Sequence, residues 1–310
     1  MQKTFLVSGL TLLLSTIGYI QNQQPVDNVS RAFERFKMRY LKSYELAEEA
    51  FRRAIFEQNY AKILAHNADR KFTYLADINQ FTDLTQDEFV AIYLTYTPPM
   101  GWQPSDEEVV QEGLIPNEKV DWRSKVRVKS QESCGASWAF SAVGAVEAFF
   151  KITKNLDYNL SEQQLIDCDK AKSKGCNGGY PDLAIKYIST NGVEPEDHYP
   201  YRARDLACAA ITGRYKNSGV QSIPNSGLIV AIKEYPISVC VDATNWSNYR
   251  MGVFNNCNKN INHAVLAVGY DASGNWIIKN SWGTSWGENG FMTLKAGDTC
   301  GVTQMAVKAI

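Results

Sequence analysis

The sequence has almost no net charge, and its first 133 residues contain no cysteine. With 32 basic and 33 acidic residues the formal net charge is −1, which gives no electrostatic reason to expect nucleic acid or an anionic membrane as a partner. After residue 20, no apolar run is long enough to span a bilayer. All seven cysteines lie at or after Cys134, so any disulfides belong to the C-terminal part of the chain.

The length and the N-terminus suggest a secreted protein of more than one part. A chain of 310 residues with 45% hydrophobic residues predicts two folded parts, or one domain with an extension. Residues 1–20 carry one cation, Lys3, followed by an apolar run to Ile20, which is the pattern of a signal peptide. The alternative, a membrane anchor, is disfavoured because the run is short and the polar residues 21–24 follow it. The number of cysteines also fits an oxidising compartment.

Residues 134–138 read C-G-A-S-W and match, at every position but one, the C-G-[SA]-C-[WY] signature around a cysteine nucleophile. Ser137 occupies the position of that nucleophile. The signature predicts a His and an Asn some 130–150 residues downstream. His263 and Asn280 lie 126 and 143 residues after Ser137, in the contexts N-H-A-V and N-S-W-G. From about residue 31 to the C-terminus, the chain therefore resembles the papain-like cysteine peptidases.

The resemblance implies an α+β fold with two lobes, one helical and one resembling a β-barrel, preceded by a helical inhibitory propeptide. The residue pattern agrees with this expectation. Apolar spacing predicts a long buried helix over 137–153, and Ser161 is a candidate N-cap for a second helix. From about residue 220, β-branched and aromatic runs predict strands, among them 237–241, 264–270, 276–280 and 291–294. We place the propeptide at residues 21–114 and the peptidase domain at 115–310.

The propeptide assignment has its own motif. Six residues spaced by three or four positions predict one stripe of a helix. Their identities reproduce the E-R-F-N-I-N pattern of cathepsin L-like propeptides; they are Glu48, Arg52, Phe56, Asn59, Ile63 and Asn67. Residues 77–83 resemble the accompanying G-x-N-x-F-x-D element, with Asp77 in place of Gly. In the family this segment runs through the cleft in the non-productive direction. Pro and acidic residues in 97–113 predict a linker for processing.

The resemblance also assigns catalytic roles. Position 137 would lie at a helix N-terminus, where the dipole favours an anionic nucleophile. His263 would act first as base and then as acid, while Asn280 orients its ring and Trp282 shields their hydrogen bond from water. Gln131 and the backbone N–H of residue 137 would form the oxyanion hole.

For substrate binding, the resemblance implies that the backbone of Gly178 and Gly179 pairs with an extended peptide. The main specificity pocket would be formed by Tyr180, Pro181, Cys240, Ala264 and Met305. Since these side chains are apolar or weakly polar, we expect a hydrophobic residue two positions before the scissile bond. Cys240 and Ala264 are equally compatible with an ordinary role in the core.

Spacing alone leaves the pairing of the cysteines open. The resemblance implies the disulfides Cys134–Cys176, Cys168–Cys208 and Cys257–Cys300. Cys240 is then unpaired, and it is a better candidate for a small buried hydrophobe than for a nucleophile, because it lies within a predicted strand.

No metal or cofactor is implied. The expected partners are peptide or protein substrates, the chain's own propeptide and cystatin-like inhibitors. The expected location is an acidic lysosome- or vacuole-like compartment, or outside the cell, with no membrane anchor after removal of the signal peptide.

Three departures from the family pattern surround the nucleophile position. Serine is a far weaker acid than cysteine, so a resting thiolate–imidazolium pair is excluded and little or no peptidase activity is expected. Glu132 replaces a usual Gly, which would be strained if the backbone requires a positive φ. The connection from Trp122 to Gln131 is about three residues shorter than usual.

Three hypotheses explain the serine. The first is an enzyme whose Cys was changed to trap the zymogen, and the second is a natural pseudopeptidase that binds peptides or partners. The third is a natural Ser variant with different chemistry, as in the silicateins, which is disfavoured because no Ser-rich tract is obvious. Because the signal peptide is intact, a naturally occurring serine is favoured over an engineered one. Glu132 and the short connection suggest relaxed constraint, whereas the retention of His263, Asn280 and Gln131 argues against it.

Overall fold

The computed structural model describes residues 28–104 and 118–310. The predicted signal peptide and the predicted start of the peptidase domain at residue 115 lie outside the described residues. The chain divides into two units, Met1–Ser43 and Tyr44–Ile310. In the first unit, helix α1 (Asn28–Tyr40) stacks the rings of Phe33 and Phe36 with their centroids 6.1 Å apart.

The second unit contains the remaining elements of the described residues. Its helices are α2 (Leu46–Ala68), α3 (Gln86–Tyr93), α4 (Ser137–Thr153), α5 (Glu162–Cys168), α6 (Pro181–Asn191) and α7 (Leu228–Ala231). Its strands are β1 (Tyr74–Ala76), β2 (Val120–Asp121), β3 (Val220–Ile223), β4 (Ile237–Val241), β5 (Tyr249–Phe254), β6 (His263–Tyr270), β7 (Trp276–Lys279), β8 (Phe291–Leu294) and β9 (Ala306–Ala309). Across residues 28–104 and 118–310, no helix combines the length and apolarity needed to cross a bilayer.

The helical lobe is built around α4, which has the predicted bounds and is almost entirely buried. It packs with α5 and α6 into one hydrophobic core. The predicted N-cap of α5 is present, because the side chain of Ser161 accepts a hydrogen bond from the backbone N–H of Gln164. The N-terminal end of α4 is buried, and Ser137 there accepts a hydrogen bond from Ala264 of the sheet, so it lies between the two lobes.

The β-rich lobe is formed by one sheet, in which eight of the nine described strands follow the order β1-β5-β8-β7-β6-β4-β9-β3 and β2 also pairs with β6. The four predicted strands are present, with boundaries within one residue. Strands β4 and β6 are antiparallel, and their register places Cys240 opposite Ala264 and Val241 opposite His263. Because β6 begins at His263, the sheet fixes this residue at the edge that faces α4. The mixture of helices and sheet confirms the α+β expectation.

Helix α2 carries all six residues of the predicted stripe, and their side chains bind the segment that follows. The side-chain amide of Asn59 donates to the carbonyls of Thr82 and Leu84 at 3.0 and 2.9 Å. Arg52 forms an ion pair with Glu88 of α3 at 2.8 Å. These contacts explain why Arg and Asn are needed at those positions of the stripe: they tie the backbone after β1 to the helix.

Candidate active site

Ser137 is the first residue of α4 and is only 1% exposed. Its Oγ accepts a hydrogen bond from the backbone N–H of Ala264 at 3.3 Å. No hydrogen bond joins this oxygen to His263, whose Nδ1 has no partner of normal geometry among the described residues. The serine and the histidine therefore do not form the hydrogen-bonded pair that a general-base mechanism requires.

His263 is completely buried and oriented by Asn280. Its Nε2 lies 2.9 Å from Asn280 Oδ1, which also accepts the backbone N–H of Ser281 at 2.8 Å. Because Oδ1 is the acceptor in both bonds, Nε2 of the neutral ring carries the proton and Nδ1 is the free base. The ring of Trp282 lies over the histidine, with the ring centroids 4.9 Å apart.

Burial decides the charge of His263. It lowers the pKa of the imidazole to about 4, although the hydrogen bond with Asn280 and the nearby backbone of Tyr93 both act in the opposite direction. The ring is therefore neutral at neutral pH in this covered state. His263 is thus neutral and accepts no hydrogen bond from Ser137, as expected of an inactive, resting site.

Gln131 is fully buried and tied to the same segment as Asn280. Its side-chain N–H donates to the carbonyl of Cys134 at 2.9 Å, and its Oε1 accepts the hydroxyl of Ser281 at 2.7 Å. The next residue, Glu132, is exposed and has a φ of +48°, in the left-handed region expected of a glycine. The expectation of a strained backbone at Glu132 is therefore met.

The cleft is filled by the chain itself, through the residues that follow α3. The hydroxyl of Thr95 donates to the carbonyl of Gly135 at 2.7 Å, and the backbone N–H of Tyr96 donates to the carbonyl of Asn262 at 3.1 Å. A Cβ at Gly178 would lie 2.4 Å from the carbonyl oxygen of Thr95. Gly178 therefore allows a backbone to approach that a side chain would exclude, while Gly179 is packed in the same way against the ring of Trp138.

Tyr96 also enters the predicted specificity pocket. Its ring packs in one cluster with Cys240, Ala264, Tyr180 and Met305, and Pro181 lines the adjoining cavity of about 220 Å³. The hydroxyl of Tyr96 donates to the thioether sulfur of Met305 at 3.3 Å. Burial raises the pKa of the Cys240 thiol to about 12, which suits a pocket wall and not a nucleophile.

A second set of propeptide side chains covers Trp282. The rings of Phe81 and Phe89 contact the indole edge to face, each with centroids 5.3 Å apart, and the ring of Tyr93 lies 6.3 Å away. The side-chain amide of Gln80 donates to the carbonyl of Trp282 at 2.7 Å. Sequence reasoning found the element containing Phe81 but missed the cover formed with Tyr93, Thr95 and Tyr96. Only the position of these residues directly after the element could have indicated it.

The structure contains the three disulfides that the resemblance implied. Cys134 is bonded to Cys176, Cys168 to Cys208, and Cys257 to Cys300. Cys240 is free and buried. The first of these bonds ties the loop before Ser137 to the loop that carries Gly178.

Comparison with known proteins decides the family. Residues 116–310 match the family model described as papain family cysteine protease, and residues 33–89 match the cathepsin propeptide inhibitor domain. The chain belongs to the papain family of cysteine proteases. It is 39% identical over 308 residues to putative cathepsin L 3 of Paramecium tetraurelia, which covers 97% of both chains. Cathepsin L 2 of the same organism is 40% identical and covers 94% of this chain and 96% of its own length.

Solved structures of papain-family precursors share the fold. Digestive procathepsin L 3 of Tenebrio molitor superposes with a TM-score of 0.81 at 35% identity, covering 91% of this chain and 99% of that one. The recombinant stem bromelain precursor gives a TM-score of 0.80 at 35% identity over the same shares. The chain is thus a cathepsin L-like proenzyme of the papain family, with its own propeptide as an intramolecular inhibitor.

Proposed function

We propose that this proenzyme has a cleft that binds extended peptides but cuts them very slowly, because Ser137 replaces the nucleophile. The observation that carries the proposal is the environment of Ser137 Oγ, which accepts the Ala264 N–H and makes no hydrogen bond with His263. The alternative, an active serine enzyme, needs His263 to remove the serine proton. That hydrogen bond is missing in the covered precursor, and a serine hydroxyl gives up its proton far less readily than a thiol.

The remaining residues fit a cysteine mechanism. With a thiol at position 137, the N-terminus of α4 and a protonated His263 would stabilise the thiolate. The thiolate would attack the scissile carbonyl, and the oxyanion would accept hydrogen bonds from Gln131 and the backbone N–H of residue 137. His263 would then pass its proton to the leaving amine while Asn280 holds the ring. Each of these groups except the sulfur is present.

We infer a preference for a large apolar side chain two residues before the cut. Support comes from Tyr96, which already fills the pocket formed by Tyr180, Pro181, Cys240, Ala264 and Met305. These five side chains are apolar, aromatic or sulfur-containing, so an aromatic or branched side chain is stabilised against them by burial. Asp182, Ser238 and Gln304 also line the adjoining cavity. We further propose residues 1–20 as a signal peptide, residues 21–114 as the propeptide, an acidic or extracellular location, and cystatin-like proteins as inhibitors of the uncovered cleft.

A paired assay tests the proposal. The natural chain and Ser137→Cys are expressed as precursors, shifted to acid pH with reductant, and followed for self-processing and for hydrolysis of Phe-Arg and Gly-Arg reporters. We expect processing only with Ser137→Cys, and faster turnover of the Phe-Arg reporter. Cleavage by the natural chain that His263→Ala abolishes would overturn the proposal. So would a folded, processed Ser137→Cys protein without turnover.

A further inference from the structure

A cluster of buried charges lies outside the catalytic groups, beneath the segment that leads to Gln131. Its members are Lys129, Glu147 and Glu162, whose side chains are 17%, 9% and 2% exposed. Lys129 Nζ lies 2.8 Å from an oxygen of each carboxylate and donates a third hydrogen bond to the carbonyl of Leu160 at 2.9 Å. All three ammonium protons thus have acceptors on α4, on α5 and on the loop before α5.

Electrostatics keeps Lys129 charged in this cluster. Burial lowers the pKa of its ammonium, but the two carboxylates outweigh burial and raise that pKa above its ordinary value. Burial raises the pKa of Glu162 to about 7, with repulsion from Glu147 adding to the effect and attraction by Lys129 opposing it. Buried ion pairs of this kind are a poor source of stability, because desolvation of the charges offsets their attraction. A role in fixing geometry accounts for the cluster better than stability does.

A second buried lysine holds the other end of the same segment. Lys279, which directly precedes Asn280, donates to the carbonyl of Arg127 at 2.9 Å. It passes over Gly144 of α4, where an added Cβ would lie 3.3 Å from its Nζ. Residues 127–129 are therefore held at Arg127 by the β-rich lobe and at Lys129 by the helical lobe.

Two backbone hydrogen bonds fix the chain between Lys129 and Gln131. The N–H of Gly283 donates to the carbonyl of Lys129 at 3.1 Å, and the N–H of Gln131 donates to the carbonyl of Ser281 at 2.8 Å. Gln131 Oε1 then accepts the Ser281 hydroxyl. The position of the Gln131 amide thus depends on a short extended segment that begins at the buried ammonium.

We propose that Lys129 is a positioning residue for Gln131. Its ion pairs with Glu147 and Glu162 hold residues 127–131 so that the Gln131 side chain stays in the oxyanion hole. The functional part of this inference rests on the oxyanion role proposed above for Gln131. The structural part, that Lys129 immobilises the Gln131 amide, does not depend on that role and can be tested in the chain with Ser137.

The first experiment therefore needs no activity. Solvent exchange of the Gln131 side-chain amide protons is measured by NMR in the natural chain, in Lys129→Met and in the control Lys308→Met. Lys308 pairs with Glu234 at 2.9 Å and is 12% exposed, but it lies on β9, away from this segment. We expect exchange to be roughly tenfold faster in Lys129→Met, unchanged in the control and restored in Lys129→Arg, since a guanidinium also donates to both carboxylates.

If Lys129→Met does not fold, because two buried carboxylates lose their cation, Glu162→Gln replaces it. This variant keeps an acceptor oxygen for Lys129 and removes only one charge, so a smaller acceleration in the same direction is expected. Exchange equal to that of the natural chain in every folded variant would overturn the proposal.

The second experiment is a double-mutant cycle in the Ser137→Cys enzyme. Loss of an oxyanion-hole donor costs roughly 10²–10³ in kcat, so Lys129→Met is expected to lower kcat by about tenfold or more with KM within about twofold. In a Gln131→Ala background, Lys129→Met should lower kcat no further. Independent, multiplicative effects of the two changes would contradict a role through Gln131. An inactive Ser137→Cys enzyme would count against the proposed function alone, and the exchange measurement would still decide the role of Lys129.

Discussion

Two single-residue departures from the family pattern lie at the start of α4 or just before it. Ser137 changes one atom of the nucleophile, from sulfur to oxygen, while its position at the helix N-terminus is kept. Glu132 changes a backbone requirement, because its φ of +48° is one that a side chain disfavours. The first affects chemistry, whereas the second affects stability and the loop that holds Gln131.

We expect Glu132→Gly to stabilise the protein by about 0.5–1 kcal/mol. A non-glycine residue in the left-handed region costs about 1–2 kcal/mol, and the greater freedom of glycine in the unfolded chain returns about half of that. Urea unfolding of the intact precursor measures the change. Glu132→Ala is the matched control, since it removes the exposed carboxylate but keeps Cβ, and its effect should stay within about 0.5 kcal/mol. Equal stabilisation by both variants would show that the carboxylate, and not the backbone, is unfavourable.

At the scale of elements, the propeptide is held together by a few polar contacts between helices. Arg52 of α2 bonds both oxygens of Glu88 at 2.9 and 2.8 Å and the carbonyl of Asp83 at 3.2 Å. Glu88 also closes the capping box of α3 by accepting the N–H of Thr85. One arginine thus joins the middle of α2 to the start of α3, from which the cleft-filling residues follow.

Replacing Arg52 with Gln should lower the free energy of unfolding of the propeptide region by about 1–3 kcal/mol, because charge-assisted hydrogen bonds to a part-buried carboxylate are lost. Hydrogen exchange of the α2 and α3 amides measures this locally. Lys71→Gln is the control. Lys71 pairs with Asp69 at 2.9 Å but is 69% exposed, so its loss should cost less than about 1 kcal/mol. An Arg52→Gln effect no larger than that of the control would refute the joining role.

The sequence predicted several elements with correct bounds but made no prediction of how the strands pair. Helix α4 was predicted with correct bounds because its apolar residues recur at helical spacing, and strands β4 and β8 because each is a β-branched or aromatic run between turns. The three-residue strand β1 was missed, since its pairing with β5 joins Tyr74 to Gly252 across a long stretch of sequence. The motifs identified His263 and Asn280. The cluster around Lys129 was not predicted, because isolated charged residues form no sequence pattern that indicates burial or spatial proximity.

For the whole molecule, the state of His263 links the propeptide to the two lobes. The histidine comes from the edge of the sheet, its neighbour Ser137 from α4, and its cover from Trp282 and the backbone near Tyr93. In the state where the propeptide covers the site, His263 is fully buried and its pKa is depressed. Protonation of His263 is therefore expected to lower the stability of this covered state.

We expect acid to destabilise the intact precursor through His263. Its folded pKa of about 4 lies below the ordinary value of 6.5, so between these values the unfolded chain binds the proton and the folded chain does not. The free energy of unfolding should therefore fall as pH decreases from 6.5 to 4, by up to about 3 kcal/mol from this group. Urea unfolding at pH values across this range measures the slope.

The variant His263→Gln isolates that contribution, because an amide keeps a donor for Asn280 but does not titrate. The comparison is necessary since Glu162, whose pKa is raised to about 7, acts in the opposite direction and makes the folded chain bind a proton as pH falls. Glu162 thus subtracts from the slope that His263 contributes. The difference between the two proteins cancels Glu162 and should still reach the full His263 contribution. If both proteins lose stability equally from pH 6.5 to 4, the histidine is not the acid-sensitive group, and the pH dependence comes from carboxylates whose pKa the fold lowers, such as Glu88 and Asp121.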